Sequence, residues 1–378
     1  MHYFDFHYSW EQRKLGDVVD VRSGKDYKHL SEGNIPVYGT GGFMLSVNQA
    51  LSYDEDAIGI GRKGTIDKPY ILKAPFWTVD TLFYAIPREK VDLNFAFDVF
   101  QNIDWKKKDE STGVPSLSKT AINEIDVLVP QYDEQQPLGQ FFNRIDNLIT
   151  LHQRKYDKLT NVKKSMLEKM FPQNGSNVPE IRFKGFTEAW EQRKFSDLVQ
   201  IERGGSPRPI DDFITDSPDG LNWVKIGDAP AQGNYITKTA EKIKPEGLSK
   251  TREVHPGDLI LSNSMSFGKP YIMGIDGCIH DGWLLIRNTY KVFDLTFLCH
   301  LLGTPQMIIQ YKSLAAGSTV NNLNKELVGN TVVTIPTIKE QRVLGQYLET
   351  LDNLITLHQR ELEKLKNLKK ACLEKMFV

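Results

Sequence analysis

The sequence predicts an α+β fold that is built twice, with a long helix after each of two domains in which helices accompany a twisted sheet. Two repeated segments support this prediction. Residues 146–154 recur without change at 352–360, and Trp10–Lys14 recurs at Trp190–Lys194. Repeats at such long spacing indicate that one domain and its helix were duplicated together.

The segments around the first repeat read as long helices. In the first copy, apolar residues are spaced by three and four positions, which is the pattern of one buried helical face. They are Leu138, Phe141, Ile145, Leu148, Leu159, Val162 and Met166. A helix of about 36 residues is roughly 55 Å long. Its apolar stripe needs a partner, and the nearest candidate is the other copy. The lysine-rich last turns suit the negative end of a helix.

Each domain also contains a predicted strand, loop and strand, at residues 56–72 and 258–273. In both, β-branched residues flank a turn rich in Gly or Ser, and Asp80 matches Asp281 a little further along. The loops themselves differ, with Arg62-Lys63-Gly64 in the first copy and Asn263-Ser264-Met265-Ser266 in the second. We therefore expect one scaffold that presents two different surfaces.

The length of 378 residues allows two or three domains. We place the boundaries where the repeats and a Pro-, Gly- and Ser-containing linker indicate them. The segments are a first domain (1–131), a first helix (132–171), a linker (172–187), a second domain (188–337) and a second helix (338–378).

Composition restricts the function classes. The formal net charge is −1, whereas a chain that binds nucleic acid alone more often has a clear basic excess; a local basic face is still possible. The three cysteines form no CxxC pair, which disfavours a zinc site or a disulfide framework and favours a reducing cytoplasm. No secretory signal is visible, and no apolar stretch approaches the ~20 residues of a membrane span.

The motif search favours a chain without catalysis, cofactor or metal. Gly59–Gly64 fits GxGxxG, but a dinucleotide site needs a following helix, and the next residues read as another strand. The sequence contains no GxxxxGK[ST] and no HExxH motif. It also lacks the Pro-Pro-Tyr or Pro-Pro-Phe signature of amino-methyltransferases.

Polar loops remain as candidate binding sites. Arg and Lys can bond guanine edges, Asn can bond adenine, and Ser or Thr can bond bases or phosphates. Side chains of these kinds in the polar loops include Thr40, Arg62 and Lys63 in the first domain and Arg208, Asn263, Ser264 and Lys269 in the second. Residue chemistry alone favours the alternative in which these loops are turns with solvated polar tips.

Several of these motifs together resemble one known family. Residues 35–42 (IPVYGTGG) followed by 61–65 (GRKGT) look like one class of target-recognition domain in the DNA-specificity subunit of type I restriction–modification systems. The run from Pro130 into the first helix is similar to that family's central conserved region, and residues 336–377 are similar to its distal one. The resemblance covers nearly the whole chain.

The resemblance implies a division of labour. Each target-recognition domain would read one half of a bipartite, asymmetric double-stranded DNA target through the major groove. With this resemblance, we predict that the DNA contacts are Thr40, Arg62 and Lys63 in the first domain and Arg208, Asn263, Ser264 and Lys269 in the second. The two helices would pack antiparallel as a coiled-coil spacer in a pseudo-two-fold repeat. Two modification subunits would dock on this framework and supply the methyl transfer to adenine, and restriction subunits would join to cleave. The chain itself would be non-catalytic.

Two alternatives stay open at this point. The chain could be a coiled-coil assembly scaffold that binds protein and not DNA. It could also be an enzyme whose site lies at the junction of a domain with its helix, although the missing methyltransferase signature disfavours this.

Overall fold

The computed structural model describes residues 10–173, 175–263, 268–315 and 322–377. The chain divides into two compact units. The first unit contains the described residues up to His152 together with those from Glu361 onward, and the second runs from Gln153 to Arg360. Each unit therefore combines one globular region with parts of both long helices.

The first unit is built around a central sheet with the strand order β2-β8-β5-β6 and antiparallel neighbours. A second sheet has the order β4-β3-β7, with β3 parallel to β7, and β1 pairs with β9. The strands are β1 (Glu11–Lys14), β2 (Val19–Ser23), β3 (Glu32–Gly39), β4 (Gly42–Val47), β5 (Ala57–Gly61), β6 (Tyr70–Leu72), β7 (Trp77–Thr78), β8 (Leu82–Pro87) and β9 (Asp126–Val129). The helices are α1 (Leu15–Val18), α2 (Leu93–Asn102), α3 (Lys119–Asn123) and α4 (Tyr132–Lys169), which continues into the second unit.

The second unit has a central sheet of order β11-β19-β16-β17-β13 and a second sheet of order β14-β12-β18-β15, while β10 pairs with β20. The strands are β10 (Glu191–Lys194), β11 (Gln200–Arg203), β12 (Leu221–Val224), β13 (Tyr235–Ile236), β14 (Glu241–Ile243), β15 (Arg252–Val254), β16 (Leu259–Ser262), β17 (Pro270–Met273), β18 (Gly277–Ile279), β19 (Trp283–Arg287) and β20 (Val332–Ile335). The helices are α5 (Leu295–Leu302), α6 (Pro305–Ala315), α7 (Lys325–Gly329) and α8 (Ile338–Met376), which continues into the first unit.

The strand orders confirm the predicted α+β repeat. The order β2-β8-β5-β6 recurs as β11-β19-β16-β17, and the parallel pair β3–β7 recurs as β12–β18. The predicted strand–loop–strand segments are β5–β6 and β16–β17. All residues of β5 and β16 are buried, as expected for apolar runs in the middle of a sheet. The second unit adds the edge strands β13 and β15.

In the first unit, the beginning of α4 packs against the end of α8. Asp146 of α4 lies 2.5 Å from the ammonium of Lys369 of α8. One helical turn earlier, the ring of Phe142 lies 5.9 Å from that of Phe377, which follows α8. Because the chain number rises on one helix as it falls on the other, the two helices are antiparallel here, as predicted. In the second unit the matching pair is Lys163 of α4 with Asp352 of α8.

The predicted apolar stripe on α4 was wrong in part. Leu138 and Ile145 are buried as expected, but Phe141 and Leu148 are 39% and 45% exposed, and Phe142 is buried instead. Phe142 lies four residues after Leu138 and three before Ile145, so these three side chains share one face of the helix. Phe141 and Leu148 lie to one side of that face and are left partly exposed.

The first unit fixes α4 to its domain through two polar side chains at the start of the helix. The indole N–H of Trp10 donates to Glu134 Oε1 at 3.1 Å. Gln135 accepts from the backbone N–H of Asp92 at 3.0 Å and donates to the carbonyl of Pro130 at 2.9 Å. Gln135 is 2% exposed, so its amide satisfies backbone groups that water does not reach.

The second unit fixes α8 in the same way. Trp190 donates to Glu340 Oε1 at 3.3 Å, and Gln341 accepts from the N–H of Asp294 at 2.9 Å. The guanidinium of Arg182 adds a bidentate contact with Glu340, at 2.7 and 2.8 Å. These shared contacts explain why the Glu-Gln pair recurs at the start of both long helices.

Two matched glycines allow each long helix to approach a short helix closely. A Cβ on Gly139 would lie 2.6 Å from the backbone nitrogen of Phe95, at the start of α2. A Cβ on Gly345 would lie 2.8 Å from that of Phe297, at the start of α5. Neither distance leaves room for a side chain, which is the circumstance that requires glycine.

No helix in the described ranges is both long and apolar enough to cross a membrane. Among the same residues, no group of three or more His, Cys, Asp or Glu side chains is placed to hold a metal ion.

Candidate nucleic-acid interface

The first predicted contact, Thr40, lies at the tip of the hairpin formed by β3 and β4. The hydroxyl of Tyr70 donates to the carbonyl of Gly39 at 2.6 Å and so holds the base of this tip. The tip also exposes apolar side chains, because Phe43 is 62% and Met44 48% exposed. Thr40 itself is half-buried, so the hairpin exposes apolar side chains more than this hydroxyl residue.

Arg62 follows the central strand β5 and is exposed. Its backbone N–H donates to the carbonyl of Thr81 at 2.8 Å, and its carbonyl accepts from the N–H of Leu117 at 2.9 Å. The guanidinium donates to the carbonyl of Asp80 at 3.5 Å and lies 5.8 Å from the centre of the Phe83 ring. The backbone is therefore fixed on both sides while the side chain stays accessible.

A neighbouring segment secures the loop that carries Lys63. The N–H of Gly64 donates to the carbonyl of Pro115 at 2.8 Å. Lys63, which is exposed, forms an antiparallel bridge with Ser116. The N–H of Ser116 in turn donates to Asp109 Oδ1 at 3.0 Å, and backbone hydrogen bonds of this kind hold the pKa of Asp109 below its ordinary value. The loop is thus preorganised without using the Lys63 ammonium.

Asn263 occupies the position in the second unit that Arg62 has in the first. Its N–H donates to the carbonyl of Gly282 at 2.9 Å, and its carbonyl accepts from the N–H of Leu323 at 3.0 Å. The side chain differs, because Asn263 is only 3% exposed and its Nδ2 donates to the carbonyl of Asp281 at 2.8 Å. In this structure the amide supports the turn after β18.

Two further predicted contacts, Ser264 and Lys269, belong to the loop after β16. Ser264 lies outside the described residues. Lys269 is half-buried, and its ammonium lies 4.9 Å from the centre of the Tyr271 ring. The backbone of Lys269 closes the loop, since its N–H donates to Ser262 Oγ at 3.0 Å.

Among the predicted contacts of the second unit that the structure describes, Arg208 is the most accessible, with 81% of its side chain exposed. Its Nη2 lies 3.5 Å from Asp281 Oδ2. The other carboxylate oxygen, Oδ1, accepts from Ser206 Oγ at 3.1 Å and lies 3.0 Å from His280 Nε2. We call Ser206, Arg208, His280 and Asp281 the Asp281 cluster.

An open cleft of about 630 Å³ adjoins the Asp281 cluster. Ser206, Arg208 and His280 line it together with the indole of Trp223. The rings of Trp223 and His280 lie 5.5 Å apart. The cleft therefore combines a cation, hydroxyl and imidazole groups and an aromatic wall.

The structure connects several predicted residues through one turn in each unit. In the first unit, the turn after β7 contacts the hairpin, because the N–H of Val79 donates to the carbonyl of Tyr38 at 3.0 Å. The same turn accepts hydrogen bonds from Arg62 at the carbonyls of Asp80 and Thr81. In the second unit, the turn after β18 contacts Arg208 and Asn263. Lys269 belongs to another loop, between β16 and β17.

The sequence did not indicate that Ser206, His280 and Asp281 lie together. The signal for Asp281 was present, because it matches Asp80 in the repeat. Its role was not visible, because the residues around it lie in the segments that follow β11, β16 and β18, which are far apart in sequence.

Comparison with known proteins gives a consistent result. The family model described as the type I restriction modification DNA specificity domain matches residues 8–161 and 187–367. The type I restriction enzyme MjaVIII specificity subunit of Methanocaldococcus jannaschii is 23% identical over 400 residues, covering 96% of this chain and 90% of its own length.

Two solved structures share the fold. The crystal structure of a type I restriction–modification S subunit from M. genitalium has a TM-score of 0.73 at 12% identity, covering 100% of this chain and 98% of that one. A chain from a structure of a type I restriction–modification system, solved to explain complex assembly and conformational transition, has a TM-score of 0.51 at 16% identity, covering 99% and 98%.

Proposed function

Because the chain belongs to the family of type I restriction–modification DNA specificity subunits, we propose that each of its two units reads one half of a bipartite, asymmetric double-stranded DNA target. The recognition domains are residues 1–131 and 188–337, and the remaining segments are spacer helices and a linker. The two halves would be read separately, one by each domain.

One observation carries this proposal: the same scaffold presents different side chains at matched positions. Arg62 and Asn263 form backbone hydrogen bonds with corresponding residues of the repeat but differ in chemistry and exposure. A scaffold that only assembled proteins would have no need for two different polar tips on one strand order. Two unlike tips suit a target whose halves differ in sequence, because base edges are distinguished by the donors and acceptors that face them.

The proposed DNA contacts are those predicted from the sequence, namely Thr40, Arg62, Lys63, Arg208, Asn263, Ser264 and Lys269. Exposure suggests different roles among them. Arg62 and Arg208 present accessible guanidinium groups, which can bond the O6 and N7 of guanine together. Lys63 presents an ammonium suited to a phosphate, a contact that positions the protein without reading sequence.

The long helices are proposed to set the separation of the two half-sites. α4 has 38 residues and α8 has 39, so each is about 57 Å long. Inserting seven residues after both Arg154 and Arg360 keeps the apolar register and adds about 10 Å, which is about three base pairs. We expect the methylated target to gain a correspondingly longer spacer, and an unchanged spacer would contradict this role.

Two modification subunits are proposed to dock on the helices, where matched apolar side chains are exposed. Leu148 and Leu151 of α4 are 45% and 46% exposed in the first unit. Their counterparts on α8 in the second unit, Leu354 and Leu357, are 38% and 51% exposed. One such surface in each unit would suit two copies of one partner. The wider family assignment suggests that restriction subunits join this complex and that it works in the cytoplasm, where its DNA is.

The test is to express the chain with its modification subunits in a host and to sequence the methylated bases. Arg62→Ala and Arg208→Ala should each relax one half of the target and leave the other unchanged. Relaxation of the same half by both variants would contradict the assignment of one half-site to each unit. A DNA mobility shift with the modification subunits present tests the scaffold alternative, which predicts no sequence-dependent binding.

A further inference from the structure

We propose that Asp281 is the positioning residue of a guanine-reading site in the second unit, where its carboxylate directs Arg208 toward the major-groove edge of the base. This inference rests on the proposed function, since it names the base and the organising residue of a site already assigned to DNA. It also adds Ser206 and His280 as members of that site.

The carboxylate of Asp281 has a different donor on each oxygen. Oδ1 accepts from Ser206 Oγ at 3.1 Å and lies 3.0 Å from His280 Nε2. The proton of His280 is on Nε2, because Nδ1 accepts from the N–H of Gly282 at 2.9 Å. Two donors therefore occupy Oδ1, which leaves Oδ2 for Arg208 at 3.5 Å. This division fixes the direction from which the guanidinium approaches.

The backbone of Asp281 is held as firmly as its side chain. Its carbonyl accepts from Asn263 Nδ2 at 2.8 Å and from Arg203 Nε at 3.5 Å. The two donors come from the ends of β11 and β16, the strands that flank β19 on either side in the central sheet. The aspartate thus stands on a rigid edge, which is what accurate placement of a long, flexible side chain requires.

The exposures suit a reading role for Arg208. Its side chain is 81% exposed, whereas that of Asp281 is 29% exposed. A guanidinium has five N–H donors in a planar fork, so contact with one carboxylate oxygen leaves enough donors for the O6 and N7 of guanine. An acidic group at a DNA-facing surface repels phosphates. Asp281 is explained here by its contacts with the side chains of Ser206, His280 and Arg208.

The described part of the first unit lacks this arrangement. Arg62 reaches the backbone carbonyl of Asp80, at 3.5 Å, and not its carboxylate. Removal of the carboxylate charge of Asp281 should therefore affect base reading in the second unit and not in the first.

The experiment uses the full chain in complex with its modification subunits and a library of random-sequence DNA duplexes, with base preference at each position as the readout. The variants are Asp281→Asn, Arg208→Ala and the double variant. Asp276→Asn is the matched control, because Asp276 lies at the other end of β18, is 77% exposed and pairs with His255 at 2.8 Å. Thermal unfolding of every variant checks that the fold is retained.

We expect Asp281→Asn to weaken the preference for one guanine in one half-site by roughly tenfold, while Asp276→Asn leaves all preferences unchanged. Arg208→Ala should weaken the same position, and the double variant should show little further loss, because the aspartate acts through the arginine. A purely structural role would lower binding to all sequences alike and add to the arginine effect.

The outcomes separate this inference from the proposed function. If the unmodified complex selects no sequence from the library, the proposed function fails. If it selects a bipartite target but Asp281→Asn behaves like Asp276→Asn, or affects a position that Arg208→Ala does not, the positioning role alone is overturned.

Discussion

In the first unit a buried carboxyl group, Asp98 of α2, lies beside the pair formed by Asp146 and Lys369, whereas in the second unit a histidine has that place. His300 of α5 contacts Asp352, the counterpart of Asp146, with its Nε2 2.9 Å from the carboxylate. Its other ring nitrogen lies 2.7 Å from the carbonyl of Thr296. The repeated helices thus meet an acid in one unit and an imidazole in the other.

This contrast shows which parts of the repeat are constrained. Residues of the long helices recur because each end pairs with the opposite helix, as Asp146 does with Lys369 and Asp352 with Lys163. Residues of the domains change around these pairs. The helix contacts therefore tolerate different domains, which suits a protein whose domains determine what it reads while its helices keep one geometry.

The two phenylalanines that end the repeated helix sequence should give the greatest losses of stability when replaced, and the two losses should differ. Phe171 is 3% exposed and stacks on Phe297 at 5.7 Å, with Trp190 at 6.0 Å. Its counterpart Phe377 contacts Trp10 at 5.5 Å but is partly exposed. Phe171→Ala should lower the free energy of unfolding by about 3–5 kcal/mol, and Phe377→Ala by less, because less of its surface is removed from water.

Denaturant unfolding of the full chain, monitored by tryptophan fluorescence, measures both variants. Phe→Leu at each position serves as the control, since it keeps most of the buried volume. An equal or greater loss for Phe377→Ala would show that partial exposure does not govern the two sites.

The two units should also respond to pH with opposite sign. Burial raises the pKa of Asp98 to about 9; Lys369 opposes this shift and the nearby Asp146 carboxylate adds to it. Burial alone would raise the pKa of Asp352 too, but the hydrogen bond from His300 and the charge of Lys163 hold it below its ordinary value. The folded first unit therefore keeps a proton that the unfolded chain releases near pH 4.

Because the folded state binds more protons between these pKa values, the first unit should lose stability as the pH rises toward 9. The limiting slope is about 1.4 kcal/mol per pH unit, so the loss from pH 6 to pH 8 is at most about 3 kcal/mol. Asp98→Asn should remove this slope. Asp352 acts in the other sense, since its contribution is present above about pH 4 and is lost as the pH falls through the lowered pKa.

Hydrogen exchange of α2 and α5 as a function of pH distinguishes the units after correction for intrinsic exchange rates. We expect α2 to open more readily as the pH rises, and less so in Asp98→Asn. Equal pH dependence of the two helices would contradict the opposite protonation of the two sites.

A third comparison concerns the matched positions at the ends of β5 and β16. Arg62→Ala should weaken the base preference of one half-site by about 1–3 kcal/mol if the guanidinium reads a base, with little change in stability because the side chain is exposed. Asn263→Ala should instead destabilise the fold by about 1–3 kcal/mol, since Asn263 is 3% exposed and its loss removes the shorter of the two hydrogen bonds to the carbonyl of Asp281.

Thermal unfolding and methylation-site sequencing measure the two effects separately. Arg62→Lys is the control for charge, because it keeps the cation without the planar fork. Unchanged specificity and affinity in Arg62→Ala would remove this residue from the set of DNA contacts.

Much of the fold was predictable from periodicity and repetition. The spacing of Leu138 and Ile145 indicated a helix, and its recurrence indicated a partner. The roles of Lys163 and Lys369 were not predictable, because both read as lysines suited to a helix end and instead pair with aspartates on the opposite helix. A pairing of this kind depends on the register between two helices, which no local pattern records.

The candidate site was predictable only in outline. The exposed tips carrying Arg62 and Arg208 stood out by composition, because polar loops between apolar strands are visible in one dimension. The inward turn of Asn263 was not visible, since it depends on the carbonyl of Asp281 lying within 2.8 Å of its amide. Side chains that organise a site from separate strands are identified by the fold and not by the motif.

Both units share an aspartate that caps a short helix, and its replacement should change stability least. Asp92 caps α2 by accepting from the N–H of Phe95 at 2.9 Å, and Asp294 caps α5 by accepting from that of Phe297 at 3.0 Å. Loss of a helix cap costs about 1 kcal/mol, so Asp92→Ala and Asp294→Ala should have similar effects. Asp294 also accepts from Thr296 Oγ1 at 2.6 Å, which should make its loss slightly larger.

Denaturant unfolding of the two alanine variants, with Asp92→Asn and Asp294→Asn as controls that keep a capping oxygen, measures this pair. Similar losses would show that the start of each short helix belongs to the constrained part of the repeat, together with the long helix that packs on it through Gly139 or Gly345. A loss of several kcal/mol in only one unit would place the cap among the features that differ, and would mean that the two domains are attached to their helices by unequal means.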